Sequence, residues 1–339
     1  MDKFKDIRAY RTGWLLPLCD FLIVFPVLRI WAKRTTKGIR LDYLGDREQI
    51  ERDIKNGAFF MTNHRDIVLD SAWLSLLLRC RYFIRPFIGI GNNLFAYKWI
   101  ERLVRFNRCF VVKRGAGAHA QLENAKQLSA YIRSLRERGK SIWLAQREGR
   151  AKDSNDLTQP SVLHMLTMAN SENDLFESVK ALNICPVSIS YEYDPCDYLK
   201  AREMQFKRDD SHWRKSKRDD VESMVTGIRG EKGRVVYRLT PSINPEIDAM
   251  LAAHPEYREQ STHDQLQHLC DIIDRHIHQG YEIFERGTEF DAYIESRLAR
   301  INIPNKDEAF LREKLYEMYK FPEINHKKSL TFNVESLEK

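Results

Sequence analysis

Seven short runs rich in aromatic and β-branched residues punctuate the first 240 positions of the chain: GIRLDYLG, GAFFMTN, RYFIRPFIGI, RCFVVKR, SIWLAQ, ALNICPVSISYEY and RVVYRLT. Runs of that length and composition read as strands. Between them lie longer amphipathic segments. Residues 67–78 carry a dense apolar face, residues 121–138 place Leu, Ala, Tyr and Ile at helical spacing among charges, and residues 265–284 do the same. Strands alternating with helices call for an α/β fold, with a mixed central sheet flanked by helices. From about position 265 the pattern is mainly helical. The expected division is a helical segment over 1–36, a chemical core over 37–245 and a helical C-terminal extension over 246–339.

The segment before the core restricts where the chain resides. Residues 14–31, WLLPLCDFLIVFPVLRIW, are apolar, with Arg8 and Arg11 ahead of them and Lys33 and Arg34 behind. A spanning helix needs about 20 clean apolar residues. This stretch holds Asp20 and is interrupted by Pro17 and Pro26, so it is expected to lie in the membrane interface, where terminal tryptophans and basic flanks are at home. No small-residue cleavage site follows it, which argues against a signal peptide.

The 339 residues are 43% hydrophobic and carry a formal charge of +7. The chain can bury a real core, and its surplus positive charge favours anionic partners. Residues 199–234 concentrate charge and few apolar side chains, and read as a solvated helical excursion or a basic arm. The six cysteines show no CxxC pair and several sit in apolar runs, the pattern of reduced, buried thiols in a cytosolic compartment.

Chemistry-bearing residues collect at predicted strand ends, where α/β folds build their sites. GAFFMTN runs into HRDIVLD, placing His64 between a strand and a helix, with Asp66 and Asp70 as nearby carboxylates. A carboxylate on one imidazole nitrogen fixes the tautomer and leaves the other nitrogen as a base; a hydroxyl from a substrate could then take the place of the serine in a hydrolase triad. RCFVVKRG delivers Lys113 and Arg114, and SIWLAQREGRAKDS delivers Arg147, Glu148, Gly149, Arg150 and Lys152. Guanidinium groups at such points can clamp a phosphate bidentately.

In order and content, four blocks over about residues 58–195 resemble the glycerolipid acyltransferase superfamily, in particular its glycerol-phosphate and lysophosphatidate branches. The blocks are NHRDIVLD, CFVVKR, REGRAKDS and ICPVSIS. The resemblance implies an O-acyltransferase moving a fatty acyl group from acyl-CoA or acyl-carrier protein to glycerol-3-phosphate or 1-acylglycerol-3-phosphate in phospholipid biosynthesis. His64 would be the general base, Asp70 would orient it, Arg114 would hold the acceptor phosphate, Glu148 and Gly149 would shape the glycerol pocket, and Arg150 or Lys152 would add positive potential. It implies no metal and no redox cofactor, a membrane lipid as partner, and residence on the cytoplasmic face of a membrane, the inner membrane if the source is bacterial.

Two departures matter. The family's aspartate follows its histidine after four residues, a position occupied here by Leu69, so the partner is displaced to Asp70 or back to Asp66; Asp70 is favoured because Asp66 has a ready capping role. The family's Phe-Pro before Glu-Gly is replaced by Gln146-Arg147. Among rivals, a serine hydrolase lacks its Gly-x-Ser-x-Gly elbow. His263, His268, His276 and His278 lack the spacing of a zinc site and read as structural, and the glycines Gly89, Gly91, Gly115 and Gly117 match no nucleotide loop and read as turn residues. Nucleic acid is not expected as a partner, since residues 200–218 supply charge and aromatics without a recognisable fold signature.

Overall fold

The computed structural model describes residues 4, 7–9, 20–92, 101, 102, 105, 107–113, 117–170 and 174–331. All seven strand-like runs form strands: β1 Ile39–Tyr43, β2 Phe59–Thr62, β3 Phe87–Gly91, β4 Cys109–Val112, β5 Ile142–Ala145, β6 Ile184–Tyr191 and β7 Val235–Leu239. They make one sheet in the order β1-β7-β6-β2-β5-β3-β4. Every neighbouring pair is parallel except β6 and β7. The sheet is therefore mixed, and β6, β2, β5, β3 and β4 all point their C-terminal ends the same way.

β2, β4, β5 and β6 are buried along their whole length, as parallel strands covered on both faces are. Side chains alternate between the two faces. Phe59, Met61, Ile142 and Leu144 pack into one hydrophobic cluster, while Phe60, Trp143 and Ala145 pack into the other. Burying each large apolar side chain contributes about 1.5–3 kcal/mol. On β6 the alternation is finished with hydroxyls, as Ser188 Oγ donates to Ile277 O at 2.6 Å and Ser190 Oγ accepts from Glu282 N at 3.0 Å.

Twelve α-helices are described: α1 Phe25–Thr35, α2 Arg47–Lys55, α3 Leu69–Tyr82, α4 Ala118–Arg136, α5 Pro160–Thr167, α6 Leu175–Lys180, α7 Asp197–Asp209, α8 Lys217–Arg229, α9 Asn244–Ala253, α10 Thr262–Gln279, α11 Glu289–Ala299 and α12 Glu308–Thr331. Helices α2 and α3 cover one face of the sheet, and α4, α5, α9 and α10 cover the other. The C-terminal region is mostly helical, as the sequence suggested. There α11 and α12 pack on α7 through Leu199, Ile294, Leu298, Leu311 and Leu315.

Three sequence expectations change. Pro26 does not break the N-terminal segment; it lies in the first turn of α1, directly after a π-helical stretch Asp20–Val24, where a missing N–H is tolerated. Pro17 lies outside the described residues. No helix among the described residues is long and apolar enough to cross a membrane. The charged stretch over 199–234 is not a solvated arm throughout: Lys200 is 1% exposed and its Nζ lies 2.5 Å from Asp194 Oδ2, while Glu203 and Gln205 are also buried. Some of their partners, Lys152 for Glu203 and the carbonyl of Asn305 for Gln205, come from distant segments, which sequence periodicity cannot show. Finally, Gly89 and Gly91 are strand residues of β3 and Gly117 precedes α4. A Cβ on Gly89 would stand 2.6 Å from Leu144 Cδ1 and 2.9 Å from Phe110 Cζ, so β3 packs closely only because that position has no side chain. Gly115 lies outside the described residues.

Candidate active site

β2 ends at Thr62 and α3 begins at Leu69, and the six residues between them form a tightly bonded loop. Asn63 anchors it by extending the ladder with its side chain: Nδ2 donates to Ile189 O at 2.9 Å and Oδ1 accepts from Ile189 N at 2.8 Å. His64 follows, partly exposed, with Nδ1 at 2.9 Å from Asp70 Oδ2. The same oxygen accepts from Arg65 N at 2.6 Å and Asp66 N at 2.9 Å, and Asp70 Oδ1 accepts from the Tyr191 hydroxyl at 2.9 Å. Asp70 is fully buried. An ionised carboxylate can only accept, so three neighbouring donors fix its orientation and leave it to hold His64 Nδ1. Burial, then the charge of Asp70, pushes the Tyr191 phenol well above its ordinary range, so it stays protonated and donates.

Asp66 has a different task. Its Oδ1 accepts from Val68 N and Leu69 N, both at 2.8 Å, capping the start of α3. Burial and the nearby Asp70 charge raise its pKa, against those two N–H donors. The space beside it is filled, since a Cβ on Gly227 of α8 would stand 2.0 Å from Asp66 Oδ2.

Behind His64, the Arg65 guanidinium turns into the protein and meets Asp156 at 2.8 Å, with both side chains buried. Asp156 also accepts from the Tyr281 hydroxyl at 2.9 Å. Burial opposes the Arg65 charge, but Asp156 foremost raises its pKa despite that. His278 Nε2 lies 2.6 Å from Asp156 O, so the last turn of α10 is tied to the loop after β5 whose Asp156 holds Arg65. Two of the other histidines read as structural also have protein neighbours: His268 lies 2.8 Å from Gln260 Oε1 and His276 2.8 Å from Glu246 Oε2.

His64 opens onto a cleft of about 980 Å³ across the C-terminal ends of β2, β3, β4 and β5. Leu122, Ala125 and Leu128 of α4, with Val162 and Met165 of α5, make an apolar wall. The polar wall begins in the loop after β5. There Gly149 takes a left-handed φ of +71°, a conformation that side chains disfavour, and Glu148 N donates to Gln159 Oε1 at 2.7 Å. Glu148, Gly149, Arg150 and Lys152 all line the cleft together with His64. Arg150 is only 6% exposed; burial opposes its charge, while Cys196, Asp194 and Asp66 together raise its pKa despite that. Arg114 lies outside the described residues, while its neighbour Lys113 lines the cleft.

A partly exposed histidine on a buried, saturated carboxylate, facing a cleft with one apolar and one cationic wall, suits activation of a hydroxyl beside an acyl chain. Residues 44–190 match the family model described as Acyltransferase. That stretch, which carries His64 and the loop after β5, is an acyltransferase domain. No match was found among curated proteins.

Parts of the acyltransferase site were not legible in its sequence. Tyr191 ends β6 and reaches Asp70 across 121 residues; its signal was only that of an aromatic at a strand end. Asp156 sits in a polar loop with nothing to mark it as the partner of Arg65. Lys207 of α7 and Lys215 before α8 line the acyltransferase cleft, although they belong to the stretch read as a surface excursion.

Proposed function

We propose that this acyltransferase moves a fatty acyl group from acyl-CoA or acyl-carrier protein to a hydroxyl of glycerol-3-phosphate or 1-acylglycerol-3-phosphate, with His64 as general base. The observation that carries this reading is the 2.9 Å pairing of His64 Nδ1 with Asp70 at the mouth of the two-walled cleft. With Nδ1–H directed at the carboxylate, Nε2 is the basic nitrogen. It takes the acceptor proton as the acceptor oxygen forms a bond to the thioester carbonyl carbon. Collapse of the tetrahedral intermediate breaks the carbon–sulfur bond, and the departing thiolate recovers the proton from His64. Asp70 stabilises the imidazolium formed between these events.

The apolar wall of α4 and α5 suits the acyl chain, and the cationic wall suits a phosphate. Arg150 and Lys152 are the described residues assigned to that phosphate, Arg114 is assigned by its place in the matching block, and Glu148 and Gly149 shape the pocket between phosphate and His64. The reading extends to phospholipid synthesis at a membrane, on its cytoplasmic face. Leu22, Ile23, Val27 and Ile30 are exposed along the N-terminal helical segment, beside Arg29, Lys33 and Arg34. An exposed apolar strip with basic neighbours favours an anionic lipid interface.

The test is transfer of a labelled acyl group from acyl-CoA and from acyl-carrier protein to glycerol-3-phosphate, lysophosphatidate and a non-phosphorylated lysolipid. Product with either phosphorylated acceptor supports the reading. Product with the non-phosphorylated lysolipid alone would replace the acceptor while keeping the base.

A further inference from the structure

The acyltransferase match ends at residue 190, yet the polar wall of the cleft continues beyond it. Lys207 near the end of α7 and Lys215 in the turn before α8 line the same cleft as His64, with Lys207 beside Lys152 of the loop after β5. Their carboxylate partners are too few to neutralise that wall. Glu203 is shared between Lys152, at 2.6 Å, and Lys207, at 3.1 Å, while Lys215 pairs with Asp220 at 2.9 Å and reaches Ser223 Oγ at 3.3 Å. With Arg150, these three ammonium groups make four cations on a wall that holds three carboxylates, Glu148, Glu203 and Asp220. Beside them Arg150 is 6% exposed, lines the cleft, and has an Nη1 with no hydrogen-bond partner among the described residues. A buried guanidinium N–H without a partner is costly, and the planar fork fits a phosphate oxygen pair.

We propose that Lys207 and Lys215, both beyond the family match, complete with Lys152 and Arg150 a binding site for a phosphate monoester that selects which phosphorylated substrate enters. This rests on the acyl-transfer reading above, and it deepens that reading by assigning recognition to α7 and the turn that follows it. The phosphate can belong to the acceptor or to the CoA moiety of the donor, since both present the same dianionic group. The Lys152 ammonium is depressed to about 8, by burial first and by Arg150 next; the charge of a bound dianion would offset both effects by favouring the ammonium.

Calorimetric titration of the purified full chain with glycerol-3-phosphate, CoA and glycerol tests the site without requiring turnover. Wild type is expected to bind at least one phosphorylated ligand, and Lys207→Met combined with Lys215→Met is expected to weaken it at least tenfold, with glycerol unaffected. The ligand whose affinity falls identifies the source of the phosphate. Lys217→Met, on α8 but not lining the cleft, is the control and should leave that affinity unchanged. Should the double variant lose cooperative unfolding, Lys207→Met alone, at a side chain that is 55% exposed, is expected to weaken binding about threefold. Equal affinities in wild type and the cleft variants, equal weakening by Lys217→Met, or no binding of either phosphorylated ligand by wild type would overturn the proposal. Absence of acyl transfer would count against the reaction alone, because binding is read independently.

Discussion

The hydroxyl of Tyr191 donates to Asp70 Oδ1 at 2.9 Å. The carboxylate that meets His64 through its other oxygen is therefore gripped from the far side by the last residue of β6. A hydrogen bond to a charged group contributes about 1.5–3 kcal/mol. Tyr191→Phe keeps the ring and removes only this bond, so kcat should fall about tenfold with KM within twofold. Steady-state kinetics on the two proteins decides the matter; an unchanged kcat would mean that the backbone donors of Arg65 and Asp66 hold Asp70 without help.

Asp66 and Asp70 separate by task. Asp70→Asn replaces the acceptor facing His64 Nδ1 and should lower kcat by about 10³-fold or more, in line with the loss of a tautomer-fixing carboxylate. Asp66→Asn retains a side chain able to cap α3 and should keep kcat within about tenfold, whereas Asp66→Ala should cost about 1 kcal/mol of stability. Reversal of the two Asn variants in the kinetic assay would move the role of histidine partner to Asp66.

Asp274 of α10 supplies a pH signature. It is buried and accepts from both Thr158 N and Thr158 Oγ1, at 2.8 and 2.5 Å. Burial foremost pushes its carboxyl up to about 7, and the Thr158 donors only partly oppose that. The folded protein then keeps this proton over a range in which the unfolded chain has released it. Its stabilising contribution is full at acidic pH and is lost as pH rises from about 4 to 7. Asp274→Asn should remove that dependence and leave the variant more stable than wild type at pH 8, by roughly 2–4 kcal/mol. Urea unfolding at pH 5 and pH 8 measures this, and parallel curves for the two proteins would refute it.

The exposed apolar side chains before and within α1 carry the membrane proposal. Leu22 and Ile23 are each 60% exposed, and Val27 is 45% exposed. Replacing all three with Glu adds charge where an apolar face would enter the headgroup layer. Co-sedimentation with vesicles containing anionic lipid should fall from most of the protein to a small fraction, with the thermal unfolding midpoint little changed. Undiminished sedimentation would place the lipid contact elsewhere.

Every strand could be read from the sequence, because the strands of a covered sheet demand short runs of aromatic and β-branched residues with punctuation between them. Helix ends were less legible: α3 starts at Leu69 instead of 67 because the Asp66 cap holds Val68 and Leu69 at its entrance. The chemical types at the site were legible too, since His64 and two carboxylates lie within seven positions. Which carboxylate meets the imidazole depended on loop geometry that spacing cannot give. The remainder was hidden by tertiary folding that spacing does not show. Lys200 looks like a surface lysine until Asp194 and the carbonyl of Arg65 are brought to it, and Lys207 and Lys215 look solvated until α7 and α8 fold over the strand ends.

The most direct test of the proposed chemistry compares wild type with His64→Ala in transfer of labelled acyl groups from acyl-CoA to glycerol-3-phosphate and lysophosphatidate. Wild type should form acylated product, and His64→Ala, still folded by its thermal unfolding midpoint, should form it at least about 10³-fold more slowly. Equal rates for the two proteins would remove His64 as the base and contradict the mechanism.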